Sequence, residues 1–207
     1  MGKLIDKLER LQKSAAPRLG FGPAVAAKQP SMALIAVLSS LNAQHAAAAV
    51  QAGADALVVR SGGNGADGSL PKALGVAETI PCGVVLADGA QGAPSCDFAV
   101  ARMSDPLGTL LEADKVDKLV RLDGDIADPL LRALESLPIE GVVLSEPAAP
   151  LTFQELARYY RVTKGTSKVV LAMVPATVDR SVNALLVAVK LTIGFHTKLL
   201  TQPVVWL

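Results

Sequence analysis

The sequence predicts a single α/β domain over residues 1–207, in which seven or eight short parallel strands alternate with helices and close into a compact (β/α)8-type barrel. Short apolar runs recur along the chain, as expected for strands that are buried on both faces. Helix start and stop signals lie between these runs. Hydrophobic residues make up 51% of the chain and aromatic residues only 3%, so the core must be built from Ala, Val and Leu. Such side chains suit helices packed closely on a parallel sheet.

Residues 1–30 are predicted as an N-terminal helix followed by an irregular connector. Leu4, Ile5, Leu8 and Leu11 fall on one face of that helix. Basic and acidic residues are mixed on its polar side, which favours packing on the domain over binding to a membrane surface.

Seven apolar runs are predicted as strands, and each ends in polar residues or proline. They cover residues 32–38, 56–59, 83–87, 97–101, 118–122, 141–144 and 169–174. Only residues 90–95 separate the third run from the fourth. That gap is too short for a full helix, so the crossover there is predicted to be reduced to a turn.

The predicted helices between these strands have recognisable caps. Asn42 caps a helix over 43–51, and the Thr152–Glu155 capping box opens a helix that Gly165 ends. The pairs Asp105–Pro106 and Asp128–Pro129 each predict a cap followed by proline at the first helical position. Residues 70–79 complete the set as a short helix with proline near its start.

The eighth strand is uncertain, and two interpretations of residues 180–200 stay open. Residues 185–189 fit a strand, while apolar spacing from Val182 to Ile193 fits one long helix capped by Asp179. The apolar tail at 203–207 is expected to need a partner surface. Together with a charged fraction of only 19%, this predicts a homo-oligomer.

Charge and composition exclude several classes of protein. The net charge is +1, from 20 basic and 19 acidic residues, and no basic run suggests nucleic acid as a partner. The N-terminus lacks the apolar core of a signal peptide, and the most apolar stretch, 182–195, is too short and too broken by Lys190 to span a bilayer. Cys82 and Cys96 are therefore expected to be free thiols in the cytoplasm.

Two segments carry a resemblance to a known group of proteins. Residues 51–59 (QAGADALVV) and 138–144 (PIEGVVL) resemble the helix–strand junctions of aldolase-type TIM barrels, such as the ribulose-phosphate-binding and thiamine-phosphate-synthase-like groups. The resemblance implies a TIM barrel, often with a glycine-rich phosphate grip after the seventh and eighth strands. Residues 175–179, which follow the seventh predicted strand, contain no glycine.

Ionisable residues follow most of the predicted strands. Because parallel barrel strands end at the same rim, these side chains are expected to converge there. The polar residues predicted at this rim are Ser39, Arg60, Asp88, Arg102, Asp123, Asp125, Glu146 and, if 185–189 is a strand, Lys190.

The three acids Asp88, Asp123 and Glu146 are predicted to act as catalytic acid/base groups. Asp88 and Glu146 are also candidate ligands for Mg²⁺, which prefers oxygen ligands and would polarise an enolate oxygen. Alternatively, charged groups at strand ends pair with one another because they cannot be buried alone.

Arg60 and Arg102 are predicted to bind a carboxylate or phosphate through paired hydrogen bonds. Ser39 and the glycines Gly62 and Gly63 are predicted to contact the same substrate. The glycine-rich segment there matches neither the dinucleotide nor the P-loop pattern, so a surface loop is the alternative to an anion cradle.

The sequence thus predicts a barrel of enzyme type, a lyase or isomerase for a small anionic carbonyl or phosphate compound. A barrel that serves as a non-catalytic binding or assembly module is the competing interpretation. A flavin-binding oxidoreductase is a third. Schiff-base chemistry would need Lys190 at the end of an eighth strand.

Overall fold

The computed structural model describes residues 2–14, 33–60, 70–86, 95–106, 108–111, 113, 115–145, 152–173 and 204–206. Its centre is a curled, all-parallel sheet of seven strands, each paired with the next strand along the chain. The strands are β1 (Ala33–Leu38), β2 (Ala56–Arg60), β3 (Cys82–Val85), β4 (Phe98–Arg102), β5 (Asp117–Leu122), β6 (Gly141–Leu144) and β7 (Val169–Met173). These strands fall on the seven predicted runs, with ends that move by one or two residues.

Six described helices accompany the sheet. They are α1 (Lys3–Ser14), α2 (Ala43–Gln51), α3 (Leu70–Leu74), α4 (Gly108–Leu111), α5 (Asp128–Glu135) and α6 (Phe153–Gly165). None of the described helices is long and apolar enough to cross a membrane.

A three-residue strand, β8 (Val204–Trp206), lies in the C-terminal tail. It pairs in parallel with β1 over Ala33–Ile35 and with β7 over Leu171–Met173. The tail therefore has backbone partners within its own chain, so it no longer supports the predicted homo-oligomer. The two interpretations of residues 180–200 fall outside the described residues.

Two predicted helix caps are confirmed. The Asn42 side chain accepts hydrogen bonds from the backbone N–H groups of Gln44 at 2.9 Å and His45 at 3.3 Å. The hydroxyl of Thr152 accepts the N–H of Glu155 at 3.2 Å. Both caps satisfy N–H groups that a helix leaves without an internal partner.

Three helix boundaries differ from the prediction. α3 stops at Leu74 because Gly75 takes a positive φ of 63°, a conformation that ends helices. α4 begins at Gly108 rather than at Asp105, whose side chain bonds the N–H of Arg102 instead. The cap of α5 is Ala127, with no side-chain hydrogen bond, so that Asp128 is the first helical residue.

The inner face of the sheet forms one apolar core with α1. Leu4, Ile5 and Leu8 of that helix are buried against side chains such as Val58 and Leu119. The predicted packing of the N-terminal helix on the domain is therefore confirmed.

Space inside this core is limited beside the ring of Phe98. A Cβ atom at Gly83 would overlap that ring. Glycine on β3 is thus what allows a large side chain from β4 to fill the interior.

Carboxylates accept backbone N–H groups at the edge of the sheet where the strands begin. Asp55 accepts the N–H of Leu34 at 2.9 Å, and Asp97 accepts the N–H of Cys82 at 2.9 Å. A third such bond, from the N–H of Lys118 to the carboxylate of Glu140, is 2.5 Å long. Each of these carboxylates lies one residue before an even-numbered strand. It accepts a backbone N–H group from the first or second residue of the odd-numbered strand that precedes it.

Asp117 performs the related task for α1. Its carboxylate accepts the N–H groups of Gly2, Leu4 and Ile5 at 2.8, 3.0 and 3.1 Å, and so caps the helix from inside the sheet. Asp117 is 1% exposed, and burial raises its pKa despite these hydrogen bonds. We call Asp55, Asp97, Asp117 and Glu140 the amino-end carboxylates.

Candidate functional site

Three arginines lie at the opposite edge, where the strands end. Arg60 and Arg102 are the last residues of β2 and β4, and Arg121 is the second-last residue of β5. Side chains along a strand alternate between its two faces. The three arginines therefore share a face with Val58, Val100 and Leu119, which line the interior. We call Arg60, Arg102 and Arg121 the mouth arginines.

The strand register sets the spacing of these arginines. Arg102 and Arg121 are direct partners on neighbouring strands, which lie about 4.8 Å apart. Arg60 is opposite Val85, which in turn is opposite Val100. Arg102 therefore lies two residues further along β4 than the register partner of Arg60, an offset that would bring the two arginines to the same level in a tilted parallel barrel.

Arg102 is held by a nearby buried carboxylate. Asp105, 8% exposed, lies 3.1 Å from Nη2 of Arg102 through Oδ1 and accepts the backbone N–H of Arg102 at 2.8 Å through Oδ2. One carboxylate thus fixes both the main chain and the side chain where β4 ends.

Arg121 is held in a similar way. Its Nε donates to Oδ1 of Asp123 at 2.8 Å, and both side chains remain partly exposed. Asp123, a predicted acid/base residue, is therefore engaged in an ion pair with an arginine that our sequence analysis did not select. The signal was present, because Leu119 and Arg121 alternate along β5 and so share its inner face, and Asp123 follows the strand at the same spacing.

A fourth arginine reaches this edge from α6. Nη2 of Arg158 donates to the hydroxyl of Ser145 at 3.2 Å, directly after β6. Nη1 of Arg158 lies 3.5 Å from Glu155, and only 12% of the arginine side chain is exposed. Arg158 lies within the helix predicted from the Thr152 cap, but no local pattern in the sequence indicates its contact with the strand end.

The other predicted site residues divide into two groups. Ser39 is exposed just after β1, and Asp125 lies 3.3 Å from Arg161 with 74% of its side chain exposed. The remaining ones fall outside the described residues, so their convergence on a common pocket stays a prediction. They are Gly62, Gly63, Asp88, Glu146 and Lys190.

Within the described ranges, no three His, Cys, Asp or Glu side chains are grouped as metal ligands. Asp88 and Glu146, the predicted Mg²⁺ ligands, lie outside the described ranges. Cys82 and Cys96 are free thiols, as predicted. Burial raises the pKa of each to about 12, so both thiols are protonated at neutral pH and are poor nucleophiles.

The charge of the mouth follows from these pairs. Three guanidinium groups from Arg60, Arg102 and Arg121 face two carboxylates, Asp105 and Asp123, so the described part of the mouth has an excess of one positive charge. Such a site attracts anions.

Comparison with known proteins adds no assignment. The chain matches no known protein family, and a search of curated proteins finds no significant relative. The fold and the mouth geometry are therefore the basis for a functional proposal.

Proposed function

We propose that the chain is a compact TIM-type (β/α)8 barrel, with Val204–Trp206 as its eighth strand, and that it is a lyase or isomerase for a small anionic substrate. One observation supports this most directly: Arg60, Arg102 and Arg121 come from three strands and share the inner face at their carboxyl ends. Active sites of such barrels lie at that end. Its free thiols are consistent with a reducing compartment such as the cytoplasm.

In this proposal Arg60 and Arg102 bind the anionic group, and Ser39, Gly62 and Gly63 contact the same substrate. A carboxylate removes a proton next to the substrate carbonyl. The arginines then stabilise the negative charge that develops on oxygen.

Asp88, Asp123 and Glu146 are the proposed acid/base groups. The ion pair of Asp123 with Arg121 uses Oδ1, so Oδ2 is the oxygen that would face the substrate.

Proton exchange in D₂O, followed by NMR, tests this function. The wild-type chain should exchange the α-proton of at least one compound in a panel of small phosphorylated and carboxylated carbonyl compounds. Asp88→Asn, Asp123→Asn or Glu146→Gln should slow exchange by about a hundredfold if the residue is the base. Asp125→Asn is the matched control and should exchange at the wild-type rate. Absence of exchange across the panel, or equal rates in all variants, would contradict the proposal.

A non-catalytic binding or assembly module is the second candidate. Two observations favour it: α3 and α4 have only five and four residues, and the ion pairs of Arg102 and Arg121 neutralise these arginines without a ligand. Light scattering on the eluting protein measures its assembly directly. A stable homo-oligomer with no exchange activity would support this second candidate.

A further inference from the structure

The pair Arg102–Arg121 is unusual in its placement. The two arginines are direct register partners on the inner face of β4 and β5. Like charges directly opposite each other on a sheet destabilise it unless an anion compensates them.

Asp123 offsets the charge of Arg121, but the hydrogen bonding of this guanidinium within the described residues is incomplete. Asp123 contacts Arg121 through Nε alone, and the described residues provide no other acceptor for it. Both terminal amino groups of Arg121 therefore keep their N–H donors for a ligand.

Position makes those donors accessible. Arg121 stands one residue before the end of its strand, and 32% of its side chain is exposed. Arg102 is similarly placed, with 30% of its side chain exposed. A ligand entering from the carboxyl edge would meet the exposed parts of both guanidinium groups, and Arg60 adds a third positive charge at the end of β2.

We propose that Arg102 and Arg121 form a subsite for a tetrahedral dianion, the phosphate group of a phosphate monoester. This inference rests on the proposed function and names the group by which the substrate is held. A planar carboxylate lies in the plane of one guanidinium and neutralises one charge. A tetrahedral dianion presents oxygens in several directions, so it can accept hydrogen bonds from two guanidinium groups on neighbouring strands, while Arg60 adds the positive charge that Asp105 and Asp123 do not offset.

The subsite differs in place from the one that the sequence resemblance implies. That resemblance predicts a glycine-rich grip after the seventh and eighth strands, and residues 175–179 contain no glycine. Here side chains of β4 and β5, rather than loop N–H groups, are the proposed donors.

Calorimetry on the full chain tests the subsite with three ions: inorganic phosphate, sulfate and acetate. Phosphate and sulfate should bind with a dissociation constant of about 1 mM or tighter, and acetate at least about tenfold more weakly. Arg102→Gln and Arg121→Gln should each weaken phosphate binding about tenfold or more. Arg132→Gln, on the exposed face of α5, removes the same charge and should leave binding unchanged.

The pH dependence provides a second measurement that does not need a variant. Phosphate gains its second negative charge as pH rises through about 6 to 7, whereas sulfate is a dianion throughout. Phosphate binding should therefore strengthen over that range relative to sulfate binding.

Three results would overturn the subsite: no phosphate binding by the wild type, unchanged binding in Arg121→Gln, or acetate binding as tight as phosphate binding. Arg121→Gln must retain the wild-type circular dichroism spectrum for its binding to count, and Arg121→Lys, which keeps a charge but not the planar fork, should bind with intermediate affinity. A further outcome separates the two proposals. If the wild type binds phosphate, Arg121→Gln loses that binding, and the wild type exchanges no proton on any compound, the proposed function is rejected and the subsite is retained.

Discussion

The two edges of the sheet use carboxylates in opposite ways. At the amino edge, Asp55, Asp97, Asp117 and Glu140 accept backbone N–H groups. At the carboxyl edge, Asp105 and Asp123 pair with the guanidinium groups of Arg102 and Arg121. Acids at the first edge share the task of accepting main-chain N–H groups, although Asp97 also pairs with Lys3. Acids at the second edge share the task of holding arginine side chains, although Asp105 also accepts the N–H of Arg102.

On the proposed function, this difference separates residues that stabilise the fold, at the amino edge, from residues that bind a ligand, at the carboxyl edge. A backbone N–H that loses its buried acceptor has no replacement, so the amino edge should tolerate little change. The Arg121–Asp123 ion pair at the carboxyl edge is partly exposed on both sides, so it contributes less free energy to folding. The following experiments test that division, from the largest expected effect to the smallest.

Replacing Asp117 should have the largest effect. Asp117→Ala leaves three N–H groups at the start of α1 without their acceptor, and we expect the free energy of unfolding to fall by about 3 kcal/mol in urea denaturation. Asp117→Asn keeps one acceptor oxygen and should lose less. The control Asp125→Ala, at a surface ion pair, should change stability by less than about 1 kcal/mol. Equal losses for Asp117→Ala and Asp125→Ala would contradict the division.

The interior between the two edges should be the next most sensitive place. Gly83→Ala places a methyl group against the ring of Phe98 and should destabilise the chain by about 2 kcal/mol. The double variant Gly83→Ala, Phe98→Leu makes room for that methyl group. If the ring is the cause, the double variant should be more stable than the sum of its single changes predicts; strict additivity would exclude this cause.

Glu135 offers a test through pH. Partial burial acts to raise the pKa of Glu135, but hydrogen bonds from Thr166 and Ser167 and the charge of Lys168 together hold it below its usual value of 4.5. A lowered pKa contributes stability above the pKa of the unfolded chain, and that contribution is lost as pH falls through the folded value. Glu135→Gln should therefore cost about 1 kcal/mol at pH 7 and nearly nothing near pH 3. If the urea midpoints of the wild type and Glu135→Gln differ by the same amount at both pH values, the stabilisation by Glu135 does not depend on its charge.

The smallest stability effect is expected at the mouth. Arg121→Gln removes a partly exposed ion pair and should change the free energy of unfolding by less than about 1 kcal/mol, while phosphate binding weakens about tenfold or more. Thermal unfolding with and without phosphate measures both quantities on the same sample. A large loss of stability in the absence of phosphate would show that Arg121 is a structural residue.

Local signals predicted much of the fold. Asn42 and Thr152 were found as caps because side-chain capping depends on residues within one turn. The strands were found because burial on both faces leaves continuous apolar runs. The buried face of α1, formed by Leu4, Ile5 and Leu8, was found because helical periodicity shows which side of a helix packs on the core.

Long-range partners could not be predicted from those signals. Asp117 lies 113 residues from Leu4, and no local pattern relates a strand-opening acid to a helix start. Asp105 looked like a cap because it precedes proline, but its carboxylate bonds Arg102 instead. Arg121 was missed because it interrupts an apolar run, although alternation along β5 places it beside Arg102.

The pattern of the amino-end carboxylates has a consequence for the construction of the chain. Asp55 joins the starts of β1 and β2, Asp97 those of β3 and β4, and Glu140 those of β5 and β6. Six of the strands thus form three two-stranded modules, each closed at its amino end by one carboxylate hydrogen bond. A circular permutant opened between β4 and β5 keeps both partners of every such hydrogen bond in one continuous segment. A permutant opened between β3 and β4 instead places Cys82 and Asp97, the partners of one bond, near opposite termini.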